Sequence, residues 1–295
     1  MKICGRDILV SGRLIRAAKL DGDMNVFLDD PEPVLRGLQN CGARIDLFTF
    51  MQRLPETSPK FAYPMEWDNL AVLPVSTFEH WWNEQIGFKA RNKAKQAERK
   101  GVVIREVPFD DALVRGIWEV YNECPVRQGV PFTHYGEDIK TVYKEEATFL
   151  DNSIFIGAFL GDQLIGFVKL VYLGQIASIM QFLCKNEHSD KRPANALIAK
   201  TMEVCVAKGM RLLVYRKYTY GNDPDSQLTE FKRRNGFEPT RFPRYYVPLT
   251  AKGRVLIRLK LHGGLKGVLP ENLKSVLVHL RSKWYQKAHS TNPAR

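Results

Sequence analysis

The sequence predicts a mixed α/β fold, α+β in layout, with a mostly antiparallel central sheet flanked by helices. A smaller N-terminal α/β segment and a C-terminal amphipathic helix complete it. Three observations predict the core. Two apolar runs, Ser153–Leu160 and Gln163–Leu173, flank the turn Gly161-Asp162, which is the pattern of a β-hairpin. A third strand follows at Gln175–Leu183. The periodicity then changes to a helix from about Pro193 to Lys208, a short strand Leu212–Tyr215 and a helix ending in Phe231-Lys232-Arg233-Arg234-Asn235-Gly236-Phe237.

Ahead of this core, residues 1–75 read as a partial α/β unit. Its strands are expected at Ile8–Val10, Leu14–Leu20 and Ala43–Phe50, its helix at Val34–Asn40, and Leu54–Tyr63 is a proline-bearing loop. Ser76 and Glu79 form a capping box that opens a long helix, which runs to Lys100 and stops at Gly101. Asp110 or Asp111 caps the next helix, to about Asn122; a polar loop Glu123–Gly136 and a helix Glu137–Leu150 lead into the hairpin. We delimit the core as 76–250 and a basic extension as 251–295. There Pro270-Glu271 opens a last helix with Leu273, Val276, Leu277, Leu280 and Trp284 on one face.

Charge is localised. The chain carries +12, of which +9 lies in Ala251–Arg295 and +5 in Ile86–Gly101, leaving the remainder at −2. Two basic segments on a near-neutral body imply a polyanionic partner, a nucleic acid, a phosphate-bearing donor or an anionic membrane face, unless they are simply solvated helix faces. The terminal helix likewise reads either as docked on the body or as lying on an anionic bilayer. Five scattered cysteines with no Cys-x-x-Cys pair suit a reducing compartment and exclude a disulfide framework or a zinc site. No apolar run is long enough to span a membrane and the N-terminus lacks a signal-peptide core, so the expected location is cytoplasmic, with peripheral contact at the inner membrane face an option. Nucleotide P-loop, His-Glu-x-x-His and Gly-x-Ser-x-Gly motifs are absent, and no metal is expected.

The order of elements, the terminal Phe231-Lys232-x-x-x-Gly236-Phe237 and the paired Tyr245-Tyr246 resemble the FemAB-like branch of the GNAT acyltransferase superfamily. The resemblance starts near Trp81 and covers a little over half the chain; it makes segment 1–75 a shortened first GNAT-like half. It implies an acyl- or aminoacyltransferase that bonds an activated acyl group to an amine, a cell-wall precursor being one such acceptor. No cofactor is held permanently; the co-substrate is aminoacyl-tRNA or acyl-CoA. The opposing reading is a non-catalytic GNAT-like module that binds RNA or anionic lipid.

Site residues follow from that resemblance. In GNAT proteins the donor pyrophosphate rests at a helix start with the pattern Arg/Gln-x-x-Gly-x-Gly/Ala. Here the matching stretch is Lys191-Arg192-Pro193-Ala194-Asn195-Ala196, in which Ala194 replaces the central glycine and Pro193 removes an N–H. That departure favours aminoacyl-tRNA over acyl-CoA. Gln181, Phe182 and Leu183 are the strand residues expected beside the donor, along an opening between strands near positions 181 and 212; Gln181 faces either this cleft or a neighbouring strand. Tyr220 is the expected acid, in a run with Tyr215 and Tyr218 that also suits aromatic packing, and Asn222 joins the donor site. Glu123 or His134 is the expected base, while Tyr121, Arg127, Gln128 and Tyr135 would face the acceptor. The alternative for this loop is that Glu123 and Arg127 bond each other. Cys184 reads as a buried structural thiol in preference to a nucleophile.

Overall fold

The computed structural model describes residues 1–23, 25–127, 130–220 and 225–262. Gln128, Asn222 and the C-terminal helix expected from Pro270 lie outside the described residues.

The chain opens with strands β1 (Lys2–Ile3), β2 (Arg6–Ser11) and β3 (Ala17–Leu20). Helix α1 (Glu32–Asn40) precedes β4 (Leu47–Met51) and the long β5 (Met65–Pro74). A single turn, α2 (Phe78–His80), runs into a π-turn at Trp81–Gln85, followed by α3 (Phe88–Arg99) and β6 (Val102–Val107). Helix α4 (Asp111–Tyr121), the two-residue strands β7 (Val126–Arg127) and β8 (Val130–Pro131), and α5 (Ile139–Glu146) come next. Then follow β9 (Ser153–Leu160), β10 (Gln163–Leu173), β11 (Ile176–Cys184), α6 (Pro193–Ala207), β12 (Leu212–Val214) and α7 (Gln227–Arg234). The last described elements are β13 (Glu238–Pro248) and α8 (Ala251–Arg258).

These elements form two compact units, Met1–Leu70 with the described chain from Thr240 onward, and Ala71–Pro239. In the first unit β4 pairs in parallel with β3 and antiparallel with β13, Tyr245 lying opposite Phe50. Phe48, Phe50 and Tyr245 are fully buried, with the Phe50 ring 5.7 Å from Phe48 and 5.1 Å from Tyr245. The apolar face of α1, Val34, Leu35 and Leu38, joins them. The Tyr245 hydroxyl donates to Gln52 Oε1 at 2.8 Å and accepts from the Lys60 N–H at 2.9 Å, so the buried phenol has both its needs met. Residues 240–250, assigned to the core on sequence, belong with this unit because β13 takes β4 as its partner over Arg244–Pro248.

In the second unit, Val72–Pro74 of β5 pair antiparallel with β12, and β12 runs parallel to β11. Strands β11, β10, β9 and β6 continue antiparallel in that order, as the hairpin turn predicts. The strands bury both faces. Ile156 and Ala158 pack under α3 and α6, while the alternate Phe155 and Phe159 pack under α4 and α5.

The long helix expected over Ser76–Lys100 is broken. Thr77 is the observed cap, its Oγ1 accepting from the His80 N–H, and Ile86 and Gly87 are extended. Gly87 gives its N–H to the Arg234 carbonyl at 2.8 Å, a bond that a continuous helix would forbid. The helix end at Gly101 is as expected, with φ +80. Asp110 caps α4, whereas α5 starts late, capped by Asp138, and ends at Glu146 before reaching Leu150.

Candidate active site at the fork between two strands

Strands β11 and β12 are bonded only from Ile176↔Leu212 to Ser178↔Val214. Past that point β11 continues to Cys184 while β12 ends at Val214, so the two part. A β-bulge lies just beyond this point, and after Val214 the chain bonds to the β5 side, the Tyr215 N–H donating to the Ala71 carbonyl at 2.8 Å. On β11, Gln181 faces Lys169 of β10 and Ile179 faces Leu170, which leaves Met180 as the extra residue that bends the strand. Leu212 is therefore paired with Ile176, and the opening lies further along than the sequence placed it, between Met180–Leu183 and Tyr215–Arg216.

Aromatic side chains floor this opening. The Phe182 ring lies 5.4 Å from Tyr215, edge to face, and stacks on Phe231 at 5.7 Å; Tyr215 in turn meets Phe237 at 5.8 Å. Gln181, partly exposed, stands opposite Lys169 in the sheet. Leu183 is also partly buried and packs toward α4 and α5, away from the donor position expected for it.

Lys232 is the residue that sequence reasoning did not assign a role. It is 0 % exposed. The ammonium donates to the Lys217 carbonyl and sits 4.6 Å from the Tyr215 ring and 4.9 Å from the Tyr220 ring. No carboxylate pairs with it among the described residues. Burial, with Arg216 adding repulsion, pushes its pKa down to about 7. The motif around it fixes this position. Phe231 packs on Phe182, the Asn235 carbonyl accepts the buried Trp81 indole N–H at 3.1 Å, and Gly236 turns with φ +88 beside Gln85. A lysine in a charged helix reads as a surface residue; only its place in Phe-Lys-x-x-x-Gly-Phe marked it out.

Tyr220 is 42 % exposed at this mouth. Tyr215 is buried, and burial holds its phenol far above the normal range, which leaves Tyr220 as the accessible one of the two.

The loop after α4 is tied to the end of β11. Arg127 donates to the Cys184 carbonyl at 2.8 Å, to the Val120 carbonyl at 2.8 Å and to Glu123 at 2.9 Å. Glu123 also accepts the Glu187 N–H at 2.8 Å. Of the two readings of this loop, mutual pairing of Glu123 and Arg127 is the one observed, and both are committed to holding the loop. Tyr121 corrects an expectation: it is 1 % exposed and donates to Glu146 at 2.7 Å, in a core pair with Lys169, so it does not face an acceptor. His134 stacks on that Tyr121 ring at 4.6 Å, and its Nδ1 lies 3.1 Å from both Glu137 and Glu145. These three are the described residues able to hold a metal ion, with ligand atoms within 4.8 Å of one another, and a ring N–H shared between two carboxylates accounts for the same contacts. Tyr135 is exposed on the same loop. Burial pushes the Cys184 thiol up to about 12, which disfavours the thiolate.

Cations gather at the start of α6. Arg192 is left-handed, φ +61, and Pro193 takes the first helical position. Ala194 and Ala196 are half-buried and Asn195 is buried, so Lys191 and Arg192 carry the polar surface here; Lys191 pairs with Asp190 at 3.4 Å. Lys93 on α3 has its pKa lowered by burial and by the nearby Arg192, Arg234 and Lys89. The Nε atoms of Arg91 and Arg192 are buried without a hydrogen-bond partner. Such a concentration of positive charge is suited to phosphate oxygens.

No family model and no curated protein matches the sequence. Solved structures do. FemX is similar at 12% identity over 80% of this chain and 72% of that chain, with a TM-score of 0.50. The C-terminal domain of a putative lysylphosphatidylglycerol synthetase from Agrobacterium fabrum is similar at 14% identity over 88% and 87%, TM-score 0.53. L-PGS from Bacillus licheniformis is similar at 13% identity over 87% and 86%, TM-score 0.56. The chain has a FemAB-like GNAT fold. At these identities the likeness is one of fold, and the FemAB-like fold brings the fork, Lys232 and the cation cluster into one unit.

Proposed function

We propose that the chain is an acyltransferase that moves an acyl or aminoacyl group from a phosphate-bearing donor to an amine acceptor. The observation that carries this reading is Lys232, a buried ammonium with a pKa of about 7 at the mouth of the fork. At neutral pH such a group is populated in both protonation states, as a proton carrier between nucleophile and leaving group must be.

In the reaction proposed, the acceptor nitrogen attacks the donor carbonyl, a C–N bond forms and the C–O or C–S bond to the carrier breaks. Lys232 takes the proton lost by nitrogen and returns it to the leaving atom, directly or through the Tyr220 hydroxyl. The edge of β11 beyond Ser178, unpaired with β12, offers backbone groups to the acyl chain. Lys93, Arg192 and Arg234 meet the donor's phosphates. Aminoacyl-tRNA is favoured over acyl-CoA because Ala194 and Pro193 crowd the helix start, and because a ribose oxygen leaves only with the proton that Lys232 supplies.

We place the reaction in the cytoplasm, with the basic segment 251–295 holding the chain near an anionic membrane face or nucleic acid. No helix among the described residues is long and apolar enough to cross a membrane. One fold relative is titled a putative lysylphosphatidylglycerol synthetase, so phosphatidylglycerol, the lipid from which that product would form, joins the acceptor panel as a hydroxyl-bearing comparison to amine-bearing cell-wall precursors.

The test is transfer of label from aminoacyl-tRNA and, separately, from acyl-CoA to this panel, with Lys232→Met as control. Transfer from the tRNA, lost in Lys232→Met, is the expected result. Binding of tRNA or lipid without transfer from either donor would refute the enzyme and leave a non-catalytic module.

A further inference from the structure

Arg216 stands at the point where β11 and β12 part. It is an exposed arginine with a left-handed backbone, φ +46, a conformation that L-residues adopt at a penalty. Its carbonyl accepts the Ala71 N–H at 2.8 Å, which fixes the backbone on the β5 side. Its side chain crosses the fork: Nε, at 3.1 Å, and Nη2 both donate to the carbonyl of Met180. Met180 is the bulged residue of β11, on the edge that faces the opening. Arg216 makes no ion pair with any carboxylate among the described residues.

Two guanidinium donors on a single neutral carbonyl use the group poorly. The planar fork matches two oxygens of a carboxylate or phosphate, and charge-assisted bonds of that kind are roughly twice as strong as those to a neutral acceptor. The bond to Met180 is thus one that an anionic group can displace. The next residue, Lys217, supplies the carbonyl that holds the Lys232 ammonium, and Arg216 itself is a cation close enough to depress the lysine.

We infer that Arg216 is an anion-binding latch: it receives a phosphate or carboxylate of the substrate, releases the Met180 carbonyl on the β11 edge, and raises the proton affinity of Lys232 in one event. Neutralising Arg216 removes the repulsion on Lys232, so its affinity for a proton rises when the anion arrives and it becomes a stronger base toward the acceptor nitrogen in the occupied site. This assignment rests on the fork being the reacting site, as proposed above.

The experiment follows the titration of Lys232 by NMR of isotope-labelled lysine side chains in the full-length protein, with the signal assigned through Lys232→Met. The probes are inorganic pyrophosphate and succinate. Either should raise the Lys232 midpoint, by about one pH unit if the Arg216 contribution is cancelled. In Arg216→Gly, which suits a left-handed backbone, the midpoint should start higher and stay put with both probes. Should the glycine variant fail to fold, Arg216→Gln provides the same comparison. A response to pyrophosphate alone names a phosphate ligand and to succinate alone a carboxylate; both support the latch. An unmoved midpoint in the natural protein, or an equal shift without Arg216, overturns it. Turnover plays no part in the readout, so a chain that shows the shift but transfers no acyl group sinks the enzyme and leaves the latch standing.

Discussion

The ammonium of Lys232 lies 4.9 Å from the ring centre of Tyr220, in a site where no acid among the described residues balances its charge. Among the described residues this cation is held by a carbonyl and two aromatic faces, which offset less than its burial costs, and this sets the first prediction.

Lys232→Met should stabilise the fold and abolish transfer. The folded pKa, about 7, is far below the value of about 10.4 for an unfolded lysine. Between those limits the unfolded chain binds the extra proton, so stability rises with pH across that window and the penalty is complete below it. The melting temperature of Lys232→Met should therefore exceed that of the natural protein most at pH 6, by a gap that narrows toward pH 10. A gap that does not change with pH would show that the lysine is not depressed.

Transfer itself should increase as Lys232 loses its proton, with a midpoint near neutrality in kcat/KM. A flat profile between pH 5 and pH 9 would remove Lys232 from proton transfer.

Removing charge from the α3–α6 cluster should weaken donor binding without touching chemistry. Lys93→Gln with Arg192→Gln should reduce the slope of log affinity against log salt by about one for each phosphate no longer neutralised. Filter binding of aminoacyl-tRNA across a salt series measures it. An unchanged slope would mean that the donor's phosphates lie elsewhere.

The buried pair beneath Tyr121 should tolerate joint replacement better than single loss. Lys169 Nζ donates to the Glu146 carbonyl at 2.7 Å and lies 3.8 Å from its carboxylate. Lys169→Met leaves a carboxylate buried without its cation and should destabilise by about 3–5 kcal/mol, whereas adding Glu146→Leu should recover much of that. Urea unfolding of the three variants decides; additive losses would refute the coupling.

The hairpin, β11 and α6 were legible because each is a long apolar run bounded by a turn or a proline. β13 was not. Pro239, Arg241, Pro243 and Arg244 interrupt its alternation, and its partner β4 lies some two hundred residues earlier, out of reach of any local pattern. The break at Ile86-Gly87 was hidden by strong helix formers on either side and is decided by a contact to Arg234. At the site, the strand residues Gln181 and Phe182 and the loop tyrosine Tyr220 were within reach of sequence. The bulge at Met180 leaves no mark in composition, and the setting of Lys232, between the Lys217 carbonyl and the Tyr215 and Tyr220 rings, is one that only the folded chain assembles.

Met180 gives the fork a curious economy. The rungs joining β10 to β11 on either side of it, Lys169↔Gln181 and Leu170↔Ile179, would be adjacent without it. Excising that one residue would restore an uninterrupted register between β10 and β11. The bulge is thus a matter of how many residues the strand contains, and no substitution at Met180 that preserves the count should remove it.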